Sequence, residues 1–190
     1  RMIALALGDL KAKDAVPILQ ALIAEPIPKK LDAALTAYAA SQIAWDAEPI
    51  DWDRLRGEGL IKFRGDCAVA LAKLDAKEST SNIESFIDSL VPLFSTWWAD
   101  PRNPPHDALW GFSFACKAAS ALGSKRGVDA MIAMLPLVRP HSSDVVLSQL
   151  RIVTEQTIGP EYGMPARDHP AEIQKWVEWW KTNRADFACR

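Results

Sequence analysis

The chain has 190 residues, a formal net charge of −2, 49% hydrophobic residues and 24% charged residues. That composition suits a folded chain with a sizeable core and argues against disorder. There is no long basic run to meet phosphates, so nucleic acid is an unexpected partner, and no apolar stretch reaches the roughly 18–20 residues that span a bilayer.

In chain order, residues 2–7 read as the tail of a helix, with Gly8 suited to a left-handed C′ stop. Asp14 is placed as an N-cap, and Pro17 falls in the first turn, where a missing N–H costs little. Ala15, Ile18, Leu19, Leu22 and Ile23 then share one helical face, and Pro26 and Pro28 end the run. Residues 30–43 form the next amphipathic stretch through Leu31, Ala34, Leu35, Tyr38 and Ile43. Residues 45–59, with Pro49, acidic residues and two glycines, are expected as an irregular loop with at most a short helix over 52–55.

The period resumes over 60–74 through Leu60, Arg64, Cys67, Leu71 and Leu74. Ser81 and Glu84 have the spacing of a capping box. Ile83, Phe86, Ile87, Leu90 and Phe94 follow on one face, and Pro92 is expected to kink that helix or end it early. A second irregular loop, rich in proline, is expected over 98–106. Helices are predicted over 107–122, 127–138, 142–158 and 170–183. No segment alternates with period two, so no sheet is expected.

Two stretches read almost alike. Ala4-Leu5-Ala6-Leu7-Gly8 leads through a polar turn into Asp14-Ala15-Val16-Pro17-Ile18-Leu19. Ala119-Ser120-Ala121-Leu122-Gly123 leads into Asp129-Ala130-Met131-Ile132, with the same spacing from Gly to Asp. Repetition of helix, stop, turn and helix implies units that cannot cover their apolar faces alone. Gly8, Asp75, Gly123 and Gly159 are read as the ends of successive first helices. The fold class read from this pattern is all-α: a single-domain α-solenoid over 1–190, of about five antiparallel helix pairs, the second degenerate around 45–59.

The run Ala4-x-x-Leu7-Gly8, followed by Ala15-Val16-Pro17-x-Leu19-x-x-Leu22, resembles a bacterial HEAT repeat, of the kind related to the HEAT-like repeats of phycobilisome lyases. Ile158-Gly159-Pro160-Glu161-Tyr162-Gly163, with Trp176-Val177-Glu178-Trp179-Trp180 after it, resembles the terminal unit of such proteins. The resemblance implies a superhelix whose concave surface is lined by second helices. It further implies a non-enzymatic scaffold that binds a protein or peptide through that surface. Its alternatives are a HEAT-fold enzyme or accessory, phycobilin-lyase-like or DNA-glycosylase-like, and an accessory subunit of a large assembly. Because Arg1 falls inside an apparent helix, earlier repeats or a signal peptide are expected to precede it.

On that arrangement the outward positions of second helices are Gln20, Ala21, Glu84, Asp88, Asp129, Ala133, Lys175 and Glu178. Small-to-acidic residues suit a partner of basic character, with aromatic side chains as anchors. Trp176 and Trp180 share a stripe with Ile173 and Val177 and are expected in the core. Trp179 points off that stripe, and Trp97 and Trp98 precede the proline-rich loop. The expected partner-binding set is therefore Glu84, Asp88, Trp97, Trp98, Asp129, Lys175, Glu178 and Trp179.

No catalytic, cofactor or metal site is expected. His106, His141 and His169 sit in loops or at helix starts, without the converging ligands that a metal needs. Cys67 and Cys116 fall on apolar faces, as buried thiols of a reducing, cytoplasmic setting or as a bridged pair. A periplasmic or secreted setting stays open beside the cytoplasmic one. A glycosylase-like reading would use Asp100 beside Trp97 and Trp98, or Asp51 and Asp53 around Trp52, and lacks the basic groove such chemistry needs.

Overall fold

The structure, a computed structural model, describes residues 2–24, 52–97, 106–138, 140–160 and 166–188. Among them are eight α-helices, three short 3-10 turns and no strand. The helices are α1 Met2–Asp9, α2 Val16–Ala24, α3 Trp52–Lys73, α4 Thr80–Trp97, α5 His106–Ala121, α6 Arg126–Met134, α7 Pro140–Thr154 and α8 Pro170–Asn183. The chain is all-α, and these helices pack together.

One backbone turn ends α1, α3 and α5. Lys11, Asp75 and Gly123 occupy the left-handed region, with φ of 55°, 53° and 97°. The next amide reaches back five residues in each case, Ala12 to Leu7 (3.0 Å), Ala76 to Leu71 (3.1 Å) and Ser124 to Ala119 (2.9 Å). This is the Schellman closure, which satisfies carbonyls that the helix end leaves bare. Glu155, just after α7, shares the left-handed φ at 58°. Counting from each turn, the eighth residue is Leu19, Ile83 or Met131, and all three are buried. The twelfth is Ile23, Ile87 or Leu135, also buried.

Packing follows from these recurring apolar positions. Among first helices, α1 lies on α3, α3 on α5 and α5 on α7. Among second helices, α2 lies on α4, α4 on α6 and α6 on α8. Each second helix also touches the next first helix, α2 on α3, α4 on α5 and α6 on α7. The most extensive contact is α3 on α5. There Gly65 and Gly111 let two backbones meet: a Cβ on Gly65 would stand 2.3 Å from the Gly111 carbonyl oxygen, and one on Gly111 2.3 Å from that of Ile61. Ala68, Ala108 and Ala115 are fully buried around this crossing. Beside it, Phe94 of α4 meets Phe112 of α5 edge to face at 5.5 Å.

Several expectations are corrected. The loop expected over 45–59 is helical from Trp52 onward, because α3 runs unbroken through Gly57 and Gly59 to Lys73; residues 45–51 lie outside the described residues. The loop expected over 98–106 ends at His106, which opens α5, and residues 98–105 lie outside. The helix expected over 30–43 also lies outside. Four helix pairs are present among the described residues, and the pair α1–α2 packs directly on α3–α4; the degenerate second pair expected around 45–59 lies outside the described residues as far as residue 51.

The repeat register is also three residues off. Gly8 is inside α1 and buried, where a Cβ would come 3.0 Å from Ala70 Cα, and the left-handed stop is Lys11. At the end of α7 the left-handed residue that follows the helix is Glu155; Gly159 also has a positive φ, of 106°, but lies four residues farther on. Asp14 does not cap α2; it is exposed in the 3-10 turn Lys13–Ala15. Ser81 is not the N-cap of a capping box with Glu84, since α4 already begins at Thr80; the Glu84 carboxylate accepts from Ser124 Oγ at 2.5 Å. Pro92 does not end α4, which continues to Trp97. The ring is exposed, and the helix forgoes only the amide that would bond to the Asp88 carbonyl.

Candidate functional site

The row of second helices carries most of the residues named from the sequence, and polar bonds run along it from helix to helix. Gln20 Nε2 of α2 donates to Ser79 Oγ at 2.8 Å, just before α4. Glu84 of α4 accepts from Ser124 just before α6. Asp88 of α4 accepts from Arg126 Nε of α6 at 2.6 Å. Asp129 of α6 accepts from Trp180 Nε1 at 2.6 Å, and from Arg184 through Nε at 3.0 Å and Nη2 at 2.9 Å. The structure thus brings Glu84, Asp88 and Asp129 onto one row but engages each with a neighbouring turn or helix. Nothing in the local sequence marks Ser124, Arg126 and Arg184 as their partners, because these lie 38 to 55 residues away.

Burial of Asp129 would by itself raise its carboxyl pKa. Hydrogen bonds from Arg184 and Trp180, with the charges of Arg184 and Arg126, outweigh that and hold it below the ordinary value. A carboxyl depressed in the folded state stabilises the fold above its unfolded pKa of about 3.9, and the contribution vanishes as pH falls through the folded value. Urea melts should therefore show Asp129→Asn less stable than the parent at neutral pH. That gap should shrink steadily below about pH 4. A gap that persists unchanged into acid would contradict the assignment.

Lys175 and Glu178 are exposed on α8, where Lys175 pairs with Glu172 at 2.6 Å and Glu178 accepts from Gln174 at 3.1 Å. Trp179 is half-buried rather than projecting, with Trp176 and Trp180 each at 5.9 Å and Phe187 at 6.1 Å between ring centroids. Trp176 and Trp180 are in the core as expected, whereas Val177 is exposed. Phe187 joins this aromatic group from beyond α8, in a segment whose sequence carried no helical signal. Trp97 ends α4, and Trp98 lies outside the described residues, as do Asp51 and Asp100.

Cys67 and Cys116 are buried free thiols, not a bridged pair. Burial, then the neighbouring Asp66 charge, pushes the Cys67 thiol up to about 12, and burial raises Cys116 well above its ordinary value. Thiolate is the reactive form, so both should be inert while folded. With Cys189→Ser removing the third thiol, an aromatic disulfide reagent should label neither cysteine until denaturant is added. Prompt labelling of the native chain would show that one of them is accessible.

His169 precedes α8 without a side-chain cap bond; its carbonyl accepts from Glu172 and Ile173. No group of three His, Cys, Asp or Glu converges on a metal position among the described residues. Among these residues no helix is long and apolar enough to cross a membrane. A hollow of about 360 Å³ lies on the row of first helices, floored by Val69, Ala72 and Ala118, with Lys73 and Lys117 beside it. A second, of about 330 Å³, lies where α7 ends, beside Trp179.

Compared with known proteins, the chain matches no family model, no curated protein and no solved structure.

Proposed function

We propose that this chain is a HEAT-like α-solenoid acting as a non-enzymatic scaffold, which binds a protein partner along its row of second helices. The observation that carries the reading is the recurrence of one turn at Lys11, Asp75 and Gly123, with buried apolar residues at matching offsets after it. First helices lying on first helices, and second on second, accord with units added in a row. Such a row offers a long surface assembled from many exposed positions. Glu84, Asp88 and Asp129 then tie successive units together, through Ser124, Arg126 and Arg184.

The test places a photo-crosslinking residue at Ser85 or Ala133, exposed on α4 and α6, and for comparison at Ala6, exposed on α1. The expected result is one protein captured at both second-helix positions and not at Ala6. Purified, it should rebind with a Kd below about 10 µM, equivalent to roughly 7 kcal/mol. Capture at Ala6 alone, or no protein that rebinds, would sink the scaffold reading.

A further inference from the structure

The hollow beside Trp179 is more polar than the one on the row of first helices. It is bounded by the end of α7, by Trp179 and Asn183 of α8, and by the segment through Phe187 and Ala188. The charged residues lining it are Glu155 and Asp186, and no lysine, arginine or histidine joins them among the described residues. Its two amides each turn an N–H to backbone: Gln156 Nε2 donates to the Thr154 carbonyl at 3.3 Å, and Asn183 Nδ2 to that of Trp179 at 2.7 Å. Each oxygen is left as an acceptor, and each amide keeps a second N–H. The Thr154 hydroxyl donates to the Leu150 carbonyl at 2.7 Å. The lining therefore offers the Asp186 carboxylate and two amide oxygens as acceptors, beside the donors of the amides and of the Trp179 indole.

The aromatic wall adds a second preference. Trp179 is half-buried, and Phe187 stands against it at 81°. A planar cation that stacks on rings and offers several N–H donors matches both features. Guanidinium offers five donors in one plane, while an ammonium is compact, strongly hydrated and offers three. At about 330 Å³ the hollow is near the small end of ligand pockets, which suits a single side chain.

We propose that this pocket receives the guanidinium of an arginine side chain from a partner protein. That the arginine belongs to a protein rests on the scaffold reading above; the preference for guanidinium does not. Asp186 takes the cation, the Gln156 and Asn183 oxygens accept further N–H groups, and the Trp179 ring lies alongside.

The full chain, labelled with ¹⁵N at its indoles, tests this by NMR, with the Trp179 Nε1–H signal assigned through Trp179→Phe. The probes are N-acetylarginine amide, N-acetyllysine amide and N-acetylnorleucine amide. The expected result is a saturable Trp179 shift with the arginine probe, at least about fivefold weaker binding of the lysine probe, and no response to norleucine. Asp186→Asn should weaken arginine binding at least about fivefold, and Glu172→Gln, outside the pocket, should leave it unchanged. Asp186 is exposed, so its replacement should leave the thermal melt in place.

The pocket assignment is overturned by a flat titration, by an equal response to norleucine, or by Asp186→Asn binding as the parent does. A clean arginine response with no partner captured in the crosslinking experiment would remove the scaffold reading alone. A captured partner that binds Asp186→Asn undiminished, with a flat titration, would remove the pocket alone.

Discussion

Gly111→Ala should destabilise the fold by about 3 kcal/mol, whereas Gly57→Ala, the same change in a neighbouring helix, should stabilise it by about 0.5–1 kcal/mol. Glycine in a helix interior loses more backbone entropy than alanine, so an alanine with room around it is a gain. Gly57 and Gly59 have that room, since a Cβ at either would meet nothing within 4 Å. At Gly111 the new methyl would sit 2.3 Å from the Ile61 carbonyl oxygen and 2.7 Å from Lys62 Cα, both of them backbone. No rotamer change can relieve such a clash, so α3 and α5 must part. Parting them would open gaps along Ala68 and Ala115, where close packing is lost on both sides. Gly65→Ala should behave like Gly111→Ala, because its Cβ would meet the Gly111 backbone. Denaturant melts of the three variants decide the matter; a loss at Gly57 equal to that at Gly111 would show the crossing to be wrongly placed.

The second large effect is expected at the eighth position after each turn. Leu19→Ala, Ile83→Ala and Met131→Ala should each cost about 2–5 kcal/mol, the range for removing a buried aliphatic side chain and leaving a cavity. All three are buried, on α2, α4 and α6 respectively. Ile18 is adjacent to Leu19 but 63% exposed, so Ile18→Ala should lie within about 0.5 kcal/mol of the parent. Asp14→Ala should be equally mild, since Asp14 is exposed in the 3-10 turn rather than capping α2. A true N-cap would have cost about 1 kcal/mol. If one of the three core variants proves neutral while the others do not, the units are not equivalent, and the shared role assigned to these positions fails.

Placement of the helices was largely legible. α8 was expected over 170–183 and is Pro170–Asn183, since proline suits the first helical turn and an apolar stripe follows. The α3 start was not legible, because two glycines and flanking acids mimic a loop when read locally. Neither was the register of the repeat. Glycine is the usual left-handed residue, so Gly8 was matched to Gly123; in fact Lys11 takes the left-handed conformation there, as Asp75 does at its expected place, and Gly8 serves a close approach to Ala70. Of the named surface residues, the sequence showed that Glu84, Asp88 and Asp129 are polar and on one helix row. It did not show their partners, which come from separate helices or turns.

Helix content, the absence of period-two strands and the identity of the apolar faces were set by residue periodicity, because a 3.6-residue repeat leaves its mark within each segment. What only the tertiary structure decided were relations between segments. These are the backbone crossing at Gly65 and Gly111, the direct packing of α1–α2 on α3–α4, and the hollow beside Trp179. Each depends on distances between residues far apart in the chain. A sequence records the size and polarity of such residues, but not which of them the packed helices bring into contact.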